Sequence, residues 1–402
     1  MLVSASTARH LTYCTNVHAA ESWEEVQALF GREIAAIKSR FSPEAPFGVG
    51  LRLGARAVRE LESAGRLAAT RALLAELGLY VFTLNGFPHG SFHGTRIKEA
   101  VYRPDWSETE RVDYTLALVR VLAELLPAGM DGSISTVPVC FRERALDPSR
   151  VRLAAHHLAR VAAELERLER ERDVRIALAL EPEPACLLET SDEAIRFFEE
   201  HVFRGAALDH FATATRVDPS RAEGALRRHL GVCLDACHAS VEFEHPVDAL
   251  TALRRAGISV PKIQVSAGLC APANPEALRA LAAFADDVYL HQAVVRCRSG
   301  AELRRFVDLP EALAAAGAFG EGAELRVHFH VPVFAATLPP FTTTRHELER
   351  LLREGELGPA HLEVETYTFG LLPPQHRQVA LDEAVARELA WTKGVLDARG
   401  EP

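Results

Sequence analysis

The sequence lacks several features that would each indicate a particular class of protein. It has no uncharged apolar run of the length that a bilayer-spanning helix needs, and residues 1–17 contain no continuous apolar segment behind a basic start. Its seven cysteines are odd in number and have no paired short spacings, which is typical of reduced thiols. Cys233 and Cys237 flank Asp235, but this spacing indicates core thiols more readily than a zinc site. We therefore expect a soluble, cytoplasmic protein without a membrane partner.

An excess of basic residues is also missing. Lys and Arg number 45 against 55 Asp and Glu, and the formal charge of −10 is spread along the chain. This balance disfavours an extended phosphate-binding surface, so we expect a small molecule and not nucleic acid as the partner. The chain has 402 residues, of which 48% are hydrophobic, enough for one elaborated α/β barrel or two ordinary domains. Nothing in this composition predicts an oligomeric state.

Short apolar runs alternate with helical patterns along the whole chain. Ser22 has the capping-box spacing for a first helix, and Ser191 is predicted to cap a later one. The ten predicted strands begin at Leu11, Phe47, Leu79, Ser133, Arg175, Gly231, Lys262, Val288, Leu325 and Leu362. Because no linker interrupts the alternation, we expect a parallel sheet with helices outside. Ten strands exceed a (β/α)8 barrel by two, which predicts one domain, 1–402, with an insertion at about 274–332 at the catalytic mouth.

Four predicted strands end at a hard oxygen donor. These donors are Glu181, Asp235, Gln264 and Glu365. Each alone is more often structural, as a turn acid, a helix cap or a core amide. In parallel α/β folds the carboxyl ends of the strands meet at one site, so their coincidence predicts a shared site for one divalent cation. Oxygen donors favour Mg or Mn, and an added imidazole would permit Zn or Co.

An imidazole is available from His328 or His330, which share a face at strand spacing. We expect His330, the one nearer the strand end, to be a metal ligand. His238 follows Asp235 by three residues and is expected to orient the substrate or to complete the metal shell.

Strand alternation predicts which side chains point into the barrel. In the fifth strand, Ala177 and Ala179 share a face with Glu181, and these small residues suit a crowded interior. The same alternation places Lys262 beside Gln264, and Glu363 beside Glu365. Because buried charges persist only when they are paired or metal-bound, we expect Arg52 and Lys262 to neutralise Glu363 below the site.

Further polar groups follow the predicted strands. Asn16 and His18 lie at the end of the first, and His89 and His93 lie in a glycine-rich loop, 85–94, after the third. Glycines let the backbone approach a ligand closely, and loops in this position commonly carry function. The alternative is a solvent-exposed turn with incidental histidines.

The order of a strand-end Glu, then LDACH, then a short strand with a donor, then VETYTF resembles the xylose-isomerase-like TIM barrels, the sugar-phosphate isomerase/epimerase superfamily. The segments LTYCTNVH, LNGFPHGSFHG, YLHQ, HFHVPVF and VETYTF resemble more closely one branch of it, the EboE-type bacterial metabolite traffic proteins. The resemblance covers most of the chain from Leu11 to Thr368. Family epimerases place His at the third ligand position, where this chain has Gln264.

The resemblance implies a metal-dependent isomerase or epimerase acting on a sugar, cyclitol or related polyol by proton transfer next to a carbonyl. Glu181 and Glu365 would act as acid and base on opposite sides of the substrate. The hydroxyl-binding candidates are Asn16, His18, His89, His93, His238 and His291. Two alternatives are a non-catalytic barrel that binds a metabolite for trafficking and a metal-dependent phosphodiester hydrolase, of which the acidic charge disfavours the second.

Overall fold

A computed structural model describes residues 1–63, 65–94, 96–297, 302–320 and 322–399. The predicted domain 1–402 and the predicted insertion 274–332 therefore each include a few residues outside the described set. The strands are β1 Leu2–Ser4, β2 Arg9–Tyr13, β3 Phe47–Arg52, β4 Leu79–Asn85, β5 Gly132–Thr136, β6 Ile176–Leu180, β7 Leu230–Asp235, β8 Ser259–Val265, β9 Leu269–Pro272, β10 Ala293–Arg296, β11 Leu303–Phe306, β12 Glu324–Val327, β13 Thr337–Leu338, β14 Phe341–Thr343 and β15 His361–Val364.

The helices lie between these strands. They are α1 Trp23–Leu29, α2 Ala35–Phe41, α3 Ala55–Leu61, α4 Arg66–Glu76, α5 Thr109–Leu125, α6 Pro148–Arg172, α7 Ser191–Phe197, α8 Gly205–Thr215, α9 Pro219–His229, α10 Ala236–Val241, α11 Pro246–Arg255, α12 Pro275–Leu281, α13 Leu309–Ala314, α14 Arg345–Glu354 and α15 Leu381–Asp397. No described helix combines the length and apolar character needed to cross a bilayer.

Local sequence signals explain several helix starts. Ser22 and Glu25 form the predicted capping box at α1. The predicted cap of α7 was displaced by one residue, since Thr190 precedes the helix and accepts a hydrogen bond from the Glu193 amide, while Ser191 is its first residue. The final strand, which the sequence pattern predicts over Leu362–Thr368, ends at Val364, because the backbone then turns into a short 3-10 helix, Tyr367–Leu371.

Eight parallel strands form the barrel, in the order β2, β15, β8, β7, β6, β5, β4, β3. Strand β1 adds to its edge in antiparallel fashion. The predicted fold class, a (β/α)8 barrel, is confirmed. The count of ten strands was too low, because short antiparallel strands outside the barrel have little sequence signal of their own.

The barrel is nearly closed between β2 and β3. Their backbones meet at a single bridge between Cys14 and Gly50. The Thr12 hydroxyl spans the rest of the gap, since it donates to Gly48 O at 2.7 Å and accepts from Gly50 N at 3.0 Å. A side-chain hydroxyl therefore replaces part of the strand ladder at this seam.

The second sheet has six antiparallel strands in the order β11, β10, β12, β9, β14, β13. It begins directly after β8 and ends before α14. The predicted strands starting at Val288 and Leu325 correspond to β10 and β12, which pair with each other. This sheet packs its own apolar core, which includes Leu325, Val327 and Phe329. The extended segment after β12 leaves this sheet and returns to the barrel mouth, because Val331 N donates to Ala267 O at 2.9 Å.

A fully buried ion pair lies inside the barrel. Lys262 Nζ is 2.7 Å from Glu363 Oε2, and both side chains have no exposed surface, which confirms the predicted inward face of β8 and β15. The prediction that Arg52 shares in neutralising Glu363 was wrong. Arg52 lies at the end of β3 and instead pairs with Glu21 at 2.8 Å and donates to Gly90 O. The need for charge balance in the interior does not report how far up the barrel a long side chain reaches.

Candidate functional site

A cavity opens at the carboxyl ends of the barrel strands. Its lining combines acids, amides and imidazoles with aromatic and aliphatic side chains. The polar lining residues are Asn16, Asn85, Lys98, Glu181, Glu183, His238, His328 and Glu365, and the aromatic and aliphatic ones include Phe87, Phe92, Ile97, Tyr102, Tyr289 and Tyr367. This position is where ligands bind in parallel α/β barrels.

Glu181 and Asp235 follow neighbouring strands, β6 and β7, and lie together. Each offers an oxygen within 4.8 Å of the other and of a His238 nitrogen. Glu181 Oε2 and Asp235 Oδ2 are buried and accept no hydrogen bond from the described residues. The second oxygen of Asp235 is satisfied, because it accepts from Ser266 Oγ and His238 N, both at 2.8 Å. One free oxygen of each acid is thus available to a cation.

Glu365 reaches the same cavity from the end of β15. The side-chain amides of Asn16 and Asn85 both donate to its Oε1, at 2.7 and 3.0 Å. Because both amides use one oxygen, they fix the plane of the carboxylate and do not occupy its Oε2. Glu365 is therefore a positioned acid at the side of the cavity formed by β2, β4 and β15.

Burial and mutual repulsion raise the pKa of two of these acids well above its ordinary value. For Glu181 the cause is burial first, then the negative charges of Glu365 and Asp235. For Glu365 the causes are burial and then the negative charges of Asp235 and Glu363, whereas the hydrogen bond from Asn16 lowers its pKa. A cation at this position would relieve that repulsion.

Gln264 is the amide of this set. It is paired in register with Asp235 on the adjacent strand and is completely buried. Both of its side-chain polar atoms lack a hydrogen-bond partner among the described residues. Buried amides are nearly always bonded, so these two atoms are available to a ligand or a water molecule.

His330 is close to the carboxylates because its ring lies beside Asp235. Its Nε2 is 3.9 Å from Asp235 Oδ2, and its Nδ1 is 2.7 Å from the backbone oxygen of Glu365. Burial lowers the pKa of His330 to about 4. Its ring is therefore neutral at physiological pH and able to bind a metal. Cys237 also offers a buried thiol within 4.8 Å of Asp235 and His330.

Of the predicted substrate-binding residues, the structure places Asn16 and His238 in the cavity wall. Those that lie elsewhere each have another partner. His18 faces Tyr13 at 3.0 Å, and His89 packs edge-on against Tyr114. The loop 85–94 contributes Phe87, Pro88 and Phe92 to the lining instead of its imidazoles.

His93 and His291 support the wall from behind. His93 Nε2 lies 2.8 Å from Asn16 O, and its Nδ1 lies 3.1 Å from the Tyr289 hydroxyl. His291 bonds Asp286 through Nε2 and lies 3.0 Å from His328 O through Nδ1. Both rings therefore hold site residues in place from outside the lining.

Several lining residues were missed by the sequence reasoning. Glu183 is buried beside Glu181, and its Oε1 accepts from Tyr102 Oη at 2.9 Å and from Gln292 Nε2 at 3.1 Å. Its spacing of two from Glu181 within Glu-Pro-Glu-Pro was the available signal. Tyr102 has no comparable signal, because it lies in a short 3-10 segment far from any strand end.

Comparison with known proteins bears on the fold. A xylose isomerase-like TIM barrel protein from Mycobacterium smegmatis, solved with magnesium, superposes with a TM-score of 0.53 over 98% of this chain and 99% of its own, at 11% identity. The chain has the xylose-isomerase-like TIM barrel fold.

Other solved structures superpose more loosely. A probable 3-DHS dehydratase from Bacillus anthracis gives a TM-score of 0.44 at 11% identity, covering 95% of this chain and 97% of its own. A 3-keto-D-glucoside 4-epimerase from E. coli gives 0.40 at 14%, covering 96% and 99%. No family model and no curated protein sequence matches the chain.

Proposed function

We propose that this protein is a metal-dependent isomerase or epimerase that acts on a sugar, cyclitol or related polyol. The observation that carries the proposal is a cluster of three buried carboxylates. Glu181 and Glu365 line one cavity, Asp235 lies beside Glu181, and Glu181 and Asp235 each keep an oxygen that accepts no hydrogen bond from the described residues. Buried acids without a cationic partner are costly, so this arrangement suits a bound divalent ion. The M. smegmatis protein of the same fold was solved with magnesium.

The donor types suit such an ion, and Glu181, Asp235 and His238 place ligand atoms within 4.8 Å of one another. Glu181, Asp235 and Glu365 would hold it, with the Gln264 amide oxygen as the fourth protein donor, a set of hard oxygens that suits Mg or Mn. His330 is the alternative fourth donor, and with it Zn or Co would fit as well. When bound, the ion would polarise a substrate carbonyl and stabilise negative charge on its oxygen.

The chain's own residues would move the proton. Glu181 and Glu365 reach the cavity from the non-adjacent strands β6 and β15, so they would act as acid and base from different sides of the substrate. Two side-chain amides fix the orientation of Glu365, which suits a base that removes the proton from one particular carbon of the substrate. The aromatic lining residues, including Tyr289 and Tyr367, would receive the less polar face of the ring.

The test is exchange of carbon-bound hydrogen with solvent. The metal-loaded protein, incubated in deuterated water with a panel of aldoses, ketoses and keto forms of cyclitols, should label at least one compound at the carbon next to its carbonyl. Glu181→Gln and Glu365→Gln should each lower the labelling rate by at least a hundredfold. A protein that binds no divalent metal and labels no compound would not be such an enzyme.

A second candidate is a barrel that binds a metabolite for trafficking without turnover. It is favoured by Gln264 at the position where family epimerases carry His, and by the resemblance to EboE-type metabolite traffic proteins. In that case Glu181→Gln and Glu365→Gln would leave ligand affinity largely intact, with no labelling in the wild type. Calorimetric binding to the same compound panel separates the two functions.

A further inference from the structure

Three imidazoles converge on one point beside the carboxylate set. They belong to His238, at the start of α10, and to His328 and His330, which follow β12 of the second sheet. His328 Nε2 lies 3.1 Å from His238 Nε2 and 3.2 Å from His330 Nε2. All three ligand nitrogens lie within 4.8 Å of one another, and all three rings are buried.

Hydrogen bonds at the opposite ring nitrogens fix the protonation of these rings. His238 Nδ1 is 3.0 Å from Pro182 O, and His330 Nδ1 is 2.7 Å from Glu365 O. A carbonyl oxygen only accepts, so each Nδ1 must carry the hydrogen. In the neutral ring, Nε2 is then a lone pair without a proton.

His328 is fixed in the same way by Gln292. The Gln292 Nε2 group faces three acceptors, Tyr102 Oη, Glu183 Oε1 and Pro184 O, which determines the orientation of the amide. Its Oε1 therefore faces His328 Nδ1, at 2.8 Å. This nitrogen too must carry the hydrogen.

With all three rings neutral, three lone pairs would face one another in a buried space, where the Tyr367 hydroxyl lies 3.4 Å from one of them, His328 Nε2. Such an arrangement is repulsive by itself and is the arrangement that a metal ion requires. Zinc bonds to imidazole at about 2.0–2.1 Å, which places the nitrogens of a tetrahedral site roughly 3.3 Å apart. The two observed separations are within a few tenths of an ångström of that value.

We infer that His238, His328 and His330 form a second metal site, for a zinc-class ion, next to the proposed carboxylate site. Asp235 lies between the two, since its free Oδ2 is 3.8 Å from His238 Nε2 and 3.9 Å from His330 Nε2. Nitrogen donors select Zn, Co, Ni or Cu, whereas the carboxylates and Gln264 select Mg or Mn. Metal binding by these histidines does not require turnover, so it can be tested separately from the proposed enzyme activity.

The experiment is metal counting on the chelator-stripped protein, reloaded with Zn and Mn together and desalted. The wild type should retain two divalent ions per chain, at least one of them Zn. His328→Gln and Glu181→Gln should each lose one ion and keep the other. His361→Gln is the matched control, because it removes a buried imidazole from the other end of the barrel and should keep both ions.

Cobalt absorption gives a second measurement that needs no variant. Four-coordinate Co bound by three nitrogens absorbs visible light far more strongly than Co bound by six oxygens. A strong band saturating at one equivalent, and displaced by Zn, is the expected result. If the wild type binds only one ion and both variants lose it, the two groups of residues form a single shared site. If His328→Gln retains Zn at full stoichiometry, the histidines do not bind it. Either result overturns the inference.

Discussion

Lys262 and Glu363 form an ion pair of 2.7 Å in which neither side chain has any exposed surface. Glu363 raises the pKa of Lys262 above its ordinary value even though burial acts in the opposite direction. The ammonium is held further by Ser135 Oγ at 3.3 Å and Leu84 O at 3.4 Å. The charge of this pair is therefore internal to the barrel, one layer below the site.

Removing one partner of this pair should be strongly destabilising. We expect Lys262→Met to lower the free energy of unfolding by about 3–5 kcal/mol, because it leaves a buried carboxylate without compensation. The double variant Lys262→Met/Glu363→Gln should recover most of the loss. Urea unfolding of the wild type, Lys262→Met, Glu363→Gln and the double variant measures the coupling energy between the two side chains. If the effects of the two single variants simply add, the two side chains do not form a direct pair.

Gly50 should not tolerate a side chain. A Cβ there would lie 1.9 Å from Glu363 Oε1 and 2.7 Å from Tyr13 O, both fixed groups of the barrel interior. We expect Gly50→Ala to be recovered as insoluble or largely unfolded protein. Gly394→Ala is the control, since it lies in α15 with nothing within 4 Å and should gain about 0.5–1 kcal/mol. Comparable thermal midpoints for the two variants would show that the interior can move aside.

The repulsion among the site acids should make metal-free protein sensitive to pH. The pKa of Glu181 and of Glu365 is raised in the folded chain, so folding retains protons that the unfolded chain releases. The sign follows directly: stability is greatest below the unfolded pKa of about 4.3 and falls as the pH rises. In chelator, Glu181→Gln should melt at a higher temperature than the wild type at pH 8, with a smaller difference at pH 5. With Mn added, the order should reverse, because only the wild type gains binding energy.

Glu388 should contribute a second pH dependence that does not respond to metal. This buried acid of α15 accepts from Thr366 Oγ1 at 2.6 Å and from Val333 N at 3.0 Å, and burial raises its pKa to about 7. Its folded pKa again exceeds the unfolded one, so stability decreases between about pH 4.3 and pH 7, by on the order of 3 kcal/mol. Glu388→Gln keeps the acceptor and should flatten this part of the stability profile. An unchanged profile from chemical denaturation at several pH values would show that Glu388 is ionised throughout.

Much of the barrel could be predicted from the chain because its strands are regular. Alternation of small and large residues in β6 gave the inward face, and the acids at the ends of β6, β7 and β15 gave the positions of Glu181, Asp235 and Glu365. The ion pair of Lys262 with Glu363 followed from the same alternation. These are short-range patterns that a single strand expresses in its own residues.

The rest depends on contacts between distant segments. His328 entered the cavity wall because β12 belongs to a separate antiparallel sheet whose exit carries the chain back to the barrel, and no periodicity reports that path. His18 was predicted at the site because it follows a strand, but the backbone turns into a 3-10 segment after Cys14 and its ring meets Tyr13 instead. The sequence also did not indicate how far the Arg52 side chain extends, and in the structure it reaches Glu21.

The bond between Asn16 and Glu365 joins residues 349 positions apart. The acid is therefore oriented only after the last barrel strand has entered between β2 and β8. During synthesis, β2 and β8 each keep an unpaired edge until β15 has been made, and such edges are prone to wrong pairing. We thus expect the nascent chain to be most prone to misfolding between the synthesis of β8 and that of β15.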